Sequence, residues 1–281
     1  MNRLSMEDRA RVISALVEGN SIRSTVRMTG IAKNTIVKLL ADVGKACSEY
    51  QDHTLRNLPC RRIECDEIWS FCYSKEKNVP EEKQGEYGYG NVWTWTAIDP
   101  ETKLVASWLV GLRDSDYAAA FIDDLAGRLA NRVQLTTDGH KCYLNAIENT
   151  FGGQIDYAML IKLYDAERPG EARYSPAGFS GTEKKPINGI PDYKHASTSC
   201  VERQNLTMRM SMRRFTRLTN GFSKKIENHE HAIALHFMHY NFCRVHQSLT
   251  VGGLKRTPAM AAGLTKYPLT IRDIVSLIEN K

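Results

Sequence analysis

Near residue 55 the spacing of apolar residues changes from helical to extended, which divides the chain into an all-α beginning and a mixed α/β body. Ser5 suits a helix N-cap, and Arg9, Val12, Ile13, Leu16 and Val17 follow at helical spacing until Gly19-Asn20. A short helix from Ser21 carries Ile22, Val26 and Met28 and ends at Thr29-Gly30; a third, from about Ala32, carries Ile36, Val37, Leu39, Leu40 and Val43. The outline is a helix-turn-helix. In such a unit the third helix enters a DNA major groove, with Lys33, Asn34, Thr35 and Lys38 placed to reach phosphates and base edges. A small three-helix bundle without a ligand fits the same pattern.

After a polar stretch at 49–59, extended runs at 62–72, 89–98 and 103–112 precede a helix at 116–129, a strand at 133–137, a helix at 141–151 and a strand at 157–163. Three hairpin-linked strands followed by two crossovers predict an α/β core with a ribonuclease H-like mixed sheet, not a doubly wound one. Residues 165–198 hold four prolines and four glycines without a sustained period, and are expected to form a long functional loop. Helices are expected at 199–222 and 225–241, and after Thr257-Pro258 and Thr270. The predicted domains are a helix-turn-helix unit at 1–54, a catalytic core at 55–250 and a helical tail at 251–281.

Composition removes several classes. A chain of 281 residues, 42% hydrophobic and 25% charged, can bury a sizeable core. Its longest apolar stretches, such as 104–112, are too short to span a bilayer, and the charged start lacks the apolar segment of a secretory signal. A cytoplasmic, nucleoid-associated location is expected, with no membrane partner. Seven scattered cysteines without a Cys-x-x-Cys pair speak against a disulfide framework or a Cys-rich zinc site. His236, His239, Cys243 and His246 share a helical face, but ligands strung along about 15 Å of helix cannot meet one ion, so core packing is expected of them. The net charge of +6 suits a nucleic-acid partner if it is clustered.

Three carboxylates stand out. Asp66 lies mid-strand in Arg-Ile-Glu-Cys-Asp-Glu-Ile-Trp-Ser-Phe, where a lone charge is costly unless compensated, with Arg61 or Arg62 as available partners. Asp138 ends the strand at 133–137, and Glu202 sits in the first turn of the helix after the long loop. Gathered at one sheet edge, they would make an oxygen-rich pocket for two Mg²⁺ ions about 4 Å apart, suited to in-line displacement at phosphorus. Plainer readings exist: Asp138-Gly139 is a turn dipeptide and Ser199-x-x-Glu202 a capping box. From Arg203 to Lys225 seven basic residues occur without an acid, and Arg209, Arg213 and Arg217 recur at helical spacing on the Glu202 face. Such uncompensated charge suits a DNA backbone.

The blocks Asp-Glu-Ile-Trp-Ser-Phe (66–71), Thr-Asp-Gly-His-Lys-Cys-Tyr (137–143), Ser-Thr-Ser-Cys-Val-Glu-Arg-Gln-Asn-Leu-Thr-Met-Arg (197–209) and Tyr-Asn-Phe-Cys-Arg-Val-His-Gln-Ser-Leu (240–249) resemble those of bacterial insertion-sequence transposases with a DDE core, the "insertion sequence one" type in particular. Thr-Pro-Ala-Met-Ala-Ala-Gly-Leu (257–264) resembles their closing motif. The resemblance implies that Asp66, Asp138 and Glu202 are catalytic metal ligands for two Mg²⁺, with Mn²⁺ as a substitute, and that Arg209 contacts the DNA end, with Asn205 in the same block. It also implies double-stranded DNA, as element ends and target, and homo-oligomers in a synaptic complex. The N-terminal zinc segment frequent in the family is not visible, which would leave end recognition to the helix-turn-helix, and the interval from Asp138 to Glu202 is longer than is usual. The loop at 165–198, with Lys184, Lys185, Lys194 and His195, is expected to close on DNA. The expected activity is DNA cleavage with water as nucleophile, then strand transfer by the freed 3′-hydroxyl. A catalytically inactive DNA-binding regulator and a metal-dependent nuclease without strand transfer are the alternatives.

Overall fold

The computed structural model describes residues 4–164, 178–216 and 221–279. Ser5 accepts the Asp8 N–H and opens α1 (Met6–Val17); Ser21 accepts the Ser24 N–H and opens α2 (Ile22–Thr29). Gly30, at φ 72°, provides the left-handed cap after which α3 (Lys33–Thr54) begins.

The body is a six-stranded mixed sheet in the order β3-β2-β1-β4-β5-β6. β1 (Arg62–Cys72), β2 (Gly90–Ile98) and β3 (Val105–Gly111) pair antiparallel. α4 (Ser115–Ala126) then leads to β4 (Gln134–Thr137), parallel to β1, and α5 (Cys142–Phe151) to β5 (Asp156–Tyr164), parallel to β4. This order is compatible with the expected ribonuclease H-like sheet.

The expected long loop is corrected in part: it contains β6 (Phe179–Asn188), which pairs antiparallel with β5 and forms the sheet's outer edge. The helix expected at 199–222 is shorter, α6 (Ser199–Ser211), and a 3₁₀ turn at Arg213–Phe215 follows an extended Met212. α7 (Ile226–Met238) continues into one turn of π-helix at His239–Cys243. An unexpected hairpin, β7 (His246–Val251) with β8 (Leu254–Arg256), crosses the predicted boundary at 250. α8 (Pro258–Ala261) and α9 (Ile271–Ser276) start at Thr257 and Thr270 as expected, the latter with a capping box to Asp273.

Strand alternation assigns the two faces of the sheet. Glu67 opposes Trp95, whose ring packs on Phe121 of α4 and Tyr143 of α5. Asp66 opposes Thr96, which in turn opposes Trp108, and Trp108 packs on Phe237 of α7. Ser70, on the Asp66 face, meets His229 of α7 at 3.1 Å. α3 lies along α7: Gln51 donates to the Ala234 carbonyl, and a side chain at Gly44 would run into His231. One core cluster therefore runs from Val12 and Ile13 through the sheet to Ile274 and Val275. At the β3 edge, the Asn241 amide takes both the N–H and the carbonyl of Val105, each at 3.0 Å. No helix among the described residues is long and apolar enough to cross a membrane.

Candidate active site

β1 and β4 lie side by side in parallel, with Cys65 opposite Thr137, so the residues that follow, Asp66 and Asp138, emerge next to each other. Ligand atoms of Asp66, Glu67 and Asp138 all lie within 4.8 Å of one another. Asp66 accepts the Glu67 N–H at 2.8 Å and the Asn205 side-chain amide at 2.8 Å. Asp138 accepts the His140 N–H at 2.9 Å. Part of the turn reading thus holds for Asp138, but Gly139 is not in a positive-φ conformation and nothing crowds its Cα.

Glu67 is the unforeseen member of the group. Its carboxylate is fully buried, with Arg113 Nε at 3.1 Å, and its Oε1 has no hydrogen-bond partner, the Tyr143 hydroxyl lying nearby outside hydrogen-bond geometry. Arg113 also approaches Asp138 at 3.7 Å and stacks over Trp93 at 4.8 Å. Burial, and then the Asp138 charge, push Asp66 up to about 6 and Glu67 to about 7. Glu202 adds to the rise at Asp66, so it lies within electrostatic reach of the group.

Glu202 itself is held elsewhere. Its Oε2 pairs with Lys162 of β5 at 2.6 Å and its Oε1 accepts the Thr198 hydroxyl at 2.5 Å. The capping-box reading gives way to a different cap: Thr198 is the N-cap, and buried Glu64 of β1 accepts the N–H groups of Cys200 and Val201 at 2.7 and 3.1 Å. Burial pushes Glu64 up to about 7. Arg62 pairs with Glu101 and not with Asp66. Sequence reasoning singled out Asp66 alone in this strand; the signal for the others was the Glu64-Cys65-Asp66-Glu67 run, three carboxylates in four apolar-strand positions.

The expected DNA-contacting residues fall in separate places. Lys33, Asn34, Thr35 and Lys38 are exposed on the first turns of α3, Lys38 paired with Asp42 at 2.6 Å. Asn205 is buried and spent on Asp66, a correction that follows from its position one helical turn after Glu202, facing β1. Arg209 is half-buried on α6. Arg213 is exposed but lies beyond the helix end, so the expected helical stripe breaks there, and Arg217 lies outside the described residues.

No protein-family model matches the chain, and no curated protein matches it. Among solved structures it is similar to the chain of the "Crystal structure of the Mos1 Strand Transfer Complex", at 11% identity and a TM-score of 0.25, over 84% of this chain and 78% of that one. A superposition at that TM-score is too loose to match residues, and the site stands on its own geometry.

That geometry is an all-oxygen donor set between the middle of β1 and the end of the parallel strand β4, with a buried carboxylate oxygen left unpartnered, which fits a hard divalent cation. His229 and His236 are buried and held neutral by burial, down to about 3, and His236 packs on Phe237 and Tyr240. Among the described residues no His/Cys group gathers as a metal site.

Proposed function

We propose that the chain is a DNA transposase that binds the ends of an insertion element, cuts DNA and joins the freed strand to a target. The reading rests on Asp66 and Asp138 being set side by side on adjacent parallel strands, where separate stretches of chain deliver carboxylates to one point. Mg²⁺, as two ions held by Asp66 and Asp138 and joined by Glu202, would neutralise charge on phosphorus-bound oxygens and acidify the attacking water.

The protein's own groups prepare that site. Asn205 fixes the rotamer of Asp66, and Arg113 balances part of the charge of Glu67 and Asp138. Glu64 anchors the first turn of α6 to β1 and so sets the approach of Glu202. Lys162 neutralises Glu202 until that carboxylate is needed at the centre. Water is the nucleophile for cleavage and the freed 3′-hydroxyl for transfer, so no covalent enzyme intermediate is required. The helix-turn-helix reading of α1–α3, with Lys33, Asn34 and Thr35 exposed, supplies recognition of element ends, and paired ends call for a homo-oligomer.

The test is cleavage and strand transfer on labelled DNA carrying the sequences that flank the gene, with Mg²⁺ or Mn²⁺, for the natural chain, Asp66→Asn and Glu202→Gln. Metal-dependent joined products that vanish in both variants are expected. Cleavage without joining would make the chain a nuclease, and tight end binding with no cut would make it a regulator.

A further inference from the structure

At the far end of α6 from the carboxylates lies a groove of about 1010 Å³. Nine residues, or about 14 Å of helix, separate Glu202 from Ser211, whose carbonyl abuts Gly19 where α1 ends. One wall comes from the end of α1 and the starts of α2 and α3; the other comes from the turn after α6 and the segment leading into α7. The floor is apolar and includes Val17, Val37, Met212 and Phe222.

The rim is basic from both sides. Arg23 and Lys33 come from the α1–α3 wall and Arg213 and Lys225 from the other, all four are exposed, and none meets an acidic side chain among the described residues. Lys224 is committed to the Tyr73 carbonyl at 3.1 Å, and half-buried Arg214 to Ser223 at 2.7 Å. No acidic residue is among the described residues lining the groove. Four unpaired cations over an apolar floor need a ligand that brings regularly spaced negative charge together with flat apolar surface. A DNA duplex brings only the first, since its bases are stacked inside; an unpaired strand brings both.

We infer that this groove binds a short stretch of unpaired DNA strand, its phosphates on Arg23, Lys33, Arg213 and Lys225 and its bases on the apolar floor. The choice of nucleic acid over an acidic peptide rests on the proposed function. The groove thus gives α3 a second use: its first turn forms one wall of a strand-binding channel shared with the catalytic body.

The experiment is fluorescence anisotropy of the full chain with a labelled 12-nucleotide single strand, with the same sequence as a duplex unrelated to the element ends, and with a polyglutamate peptide. It is done in EDTA, so that the carboxylate centre takes no part. The single strand is expected to bind at least fivefold more tightly than the duplex, and equally well in Asp66→Asn. Charge reversal at Lys33, Arg213 and Lys225 together should weaken strand binding more than tenfold and lower its log–log salt slope by about 2, at about 0.7 per phosphate contact. Val37→Asn, which keeps every charge, should cost the single strand more than the duplex; circular dichroism melts check that the variants are folded.

Duplex binding as tight as that of the strand, an unchanged salt slope in the triple variant, or tighter binding of the peptide would each overturn the inference. If metal-dependent cutting persists without strand binding, only this inference falls. If the strand binds but nothing is ever cut, the groove stands and the transposase reading falls.

Discussion

Asp66 and Glu67 carry pKa values raised by burial and by Asp138, so the folded chain holds their protons more tightly than the unfolded chain does. Without metal, these groups favour the folded state less and less as pH climbs from about 4 through about 7. A cation binds the ionised form and recovers that loss, so the gain in melting temperature from Mg²⁺ or Mn²⁺ should grow between pH 6 and pH 8. Differential scanning fluorimetry checks it, and Asp66→Asn or Asp138→Asn should abolish the gain. In the proposed function Lys162 competes with metal for Glu202: Lys162→Met leaves that carboxylate without its counter-ion and should raise Mn²⁺ affinity several-fold by calorimetry. Asp66 was legible in the sequence because no turn or cap explains a charge in the middle of an apolar strand. Glu67, Arg113 and Lys162 were not, because their roles arise from which side chains the fold brings together across 40 or more residues of chain.

Among the elements, α3 shows how packing overrides a local motif. Its start reads as a recognition helix, yet it runs for 22 residues and lies against α7, with Gly44 at the point of closest approach. A methyl group at Gly44 would stand 2.5 Å from both Cβ and the carbonyl oxygen of His231, an overlap that moves backbone. Gly44→Ala should therefore destabilise the chain by about 1–3 kcal/mol in urea titration, although alanine suits an exposed helix better than glycine. Most strands and helices of the body were readable from their periodicity. β6 was not: its sequence, Phe-Ser-Gly-Thr-Glu-Lys-Lys-Pro-Ile-Asn, faces no core on either side and so has no alternation to show. The end of α6 was hidden for the opposite reason, since the basic spacing continues through Arg213 while the backbone turns extended at Met212.

For the whole molecule, the composition shift near residue 55 marks a change of element type, whereas the core cluster passes through it without a break, from α1 to α9. Arg9 of α1 pairs with Glu279 just beyond α9, tying the two ends of the described chain together. Unfolding should accordingly be one cooperative transition, with far-ultraviolet and tryptophan signals coincident; two separated transitions would mean that the first helices fold independently. A hydrophobic pattern reports only that a face is buried, not what buries it, which is why this continuity was not legible in advance. The two margins of the sheet have a consequence of their own. At β3 a side-chain amide fills the Val105 backbone groups that a neighbouring strand would seek, and at β6 the outermost strand carries Lys184, Lys185 and Pro186, which repel or cannot bond an incoming one. Strand-by-strand polymerisation is disfavoured at both margins, so crowded copies of this chain can stay separate proteins and not seed a fibril.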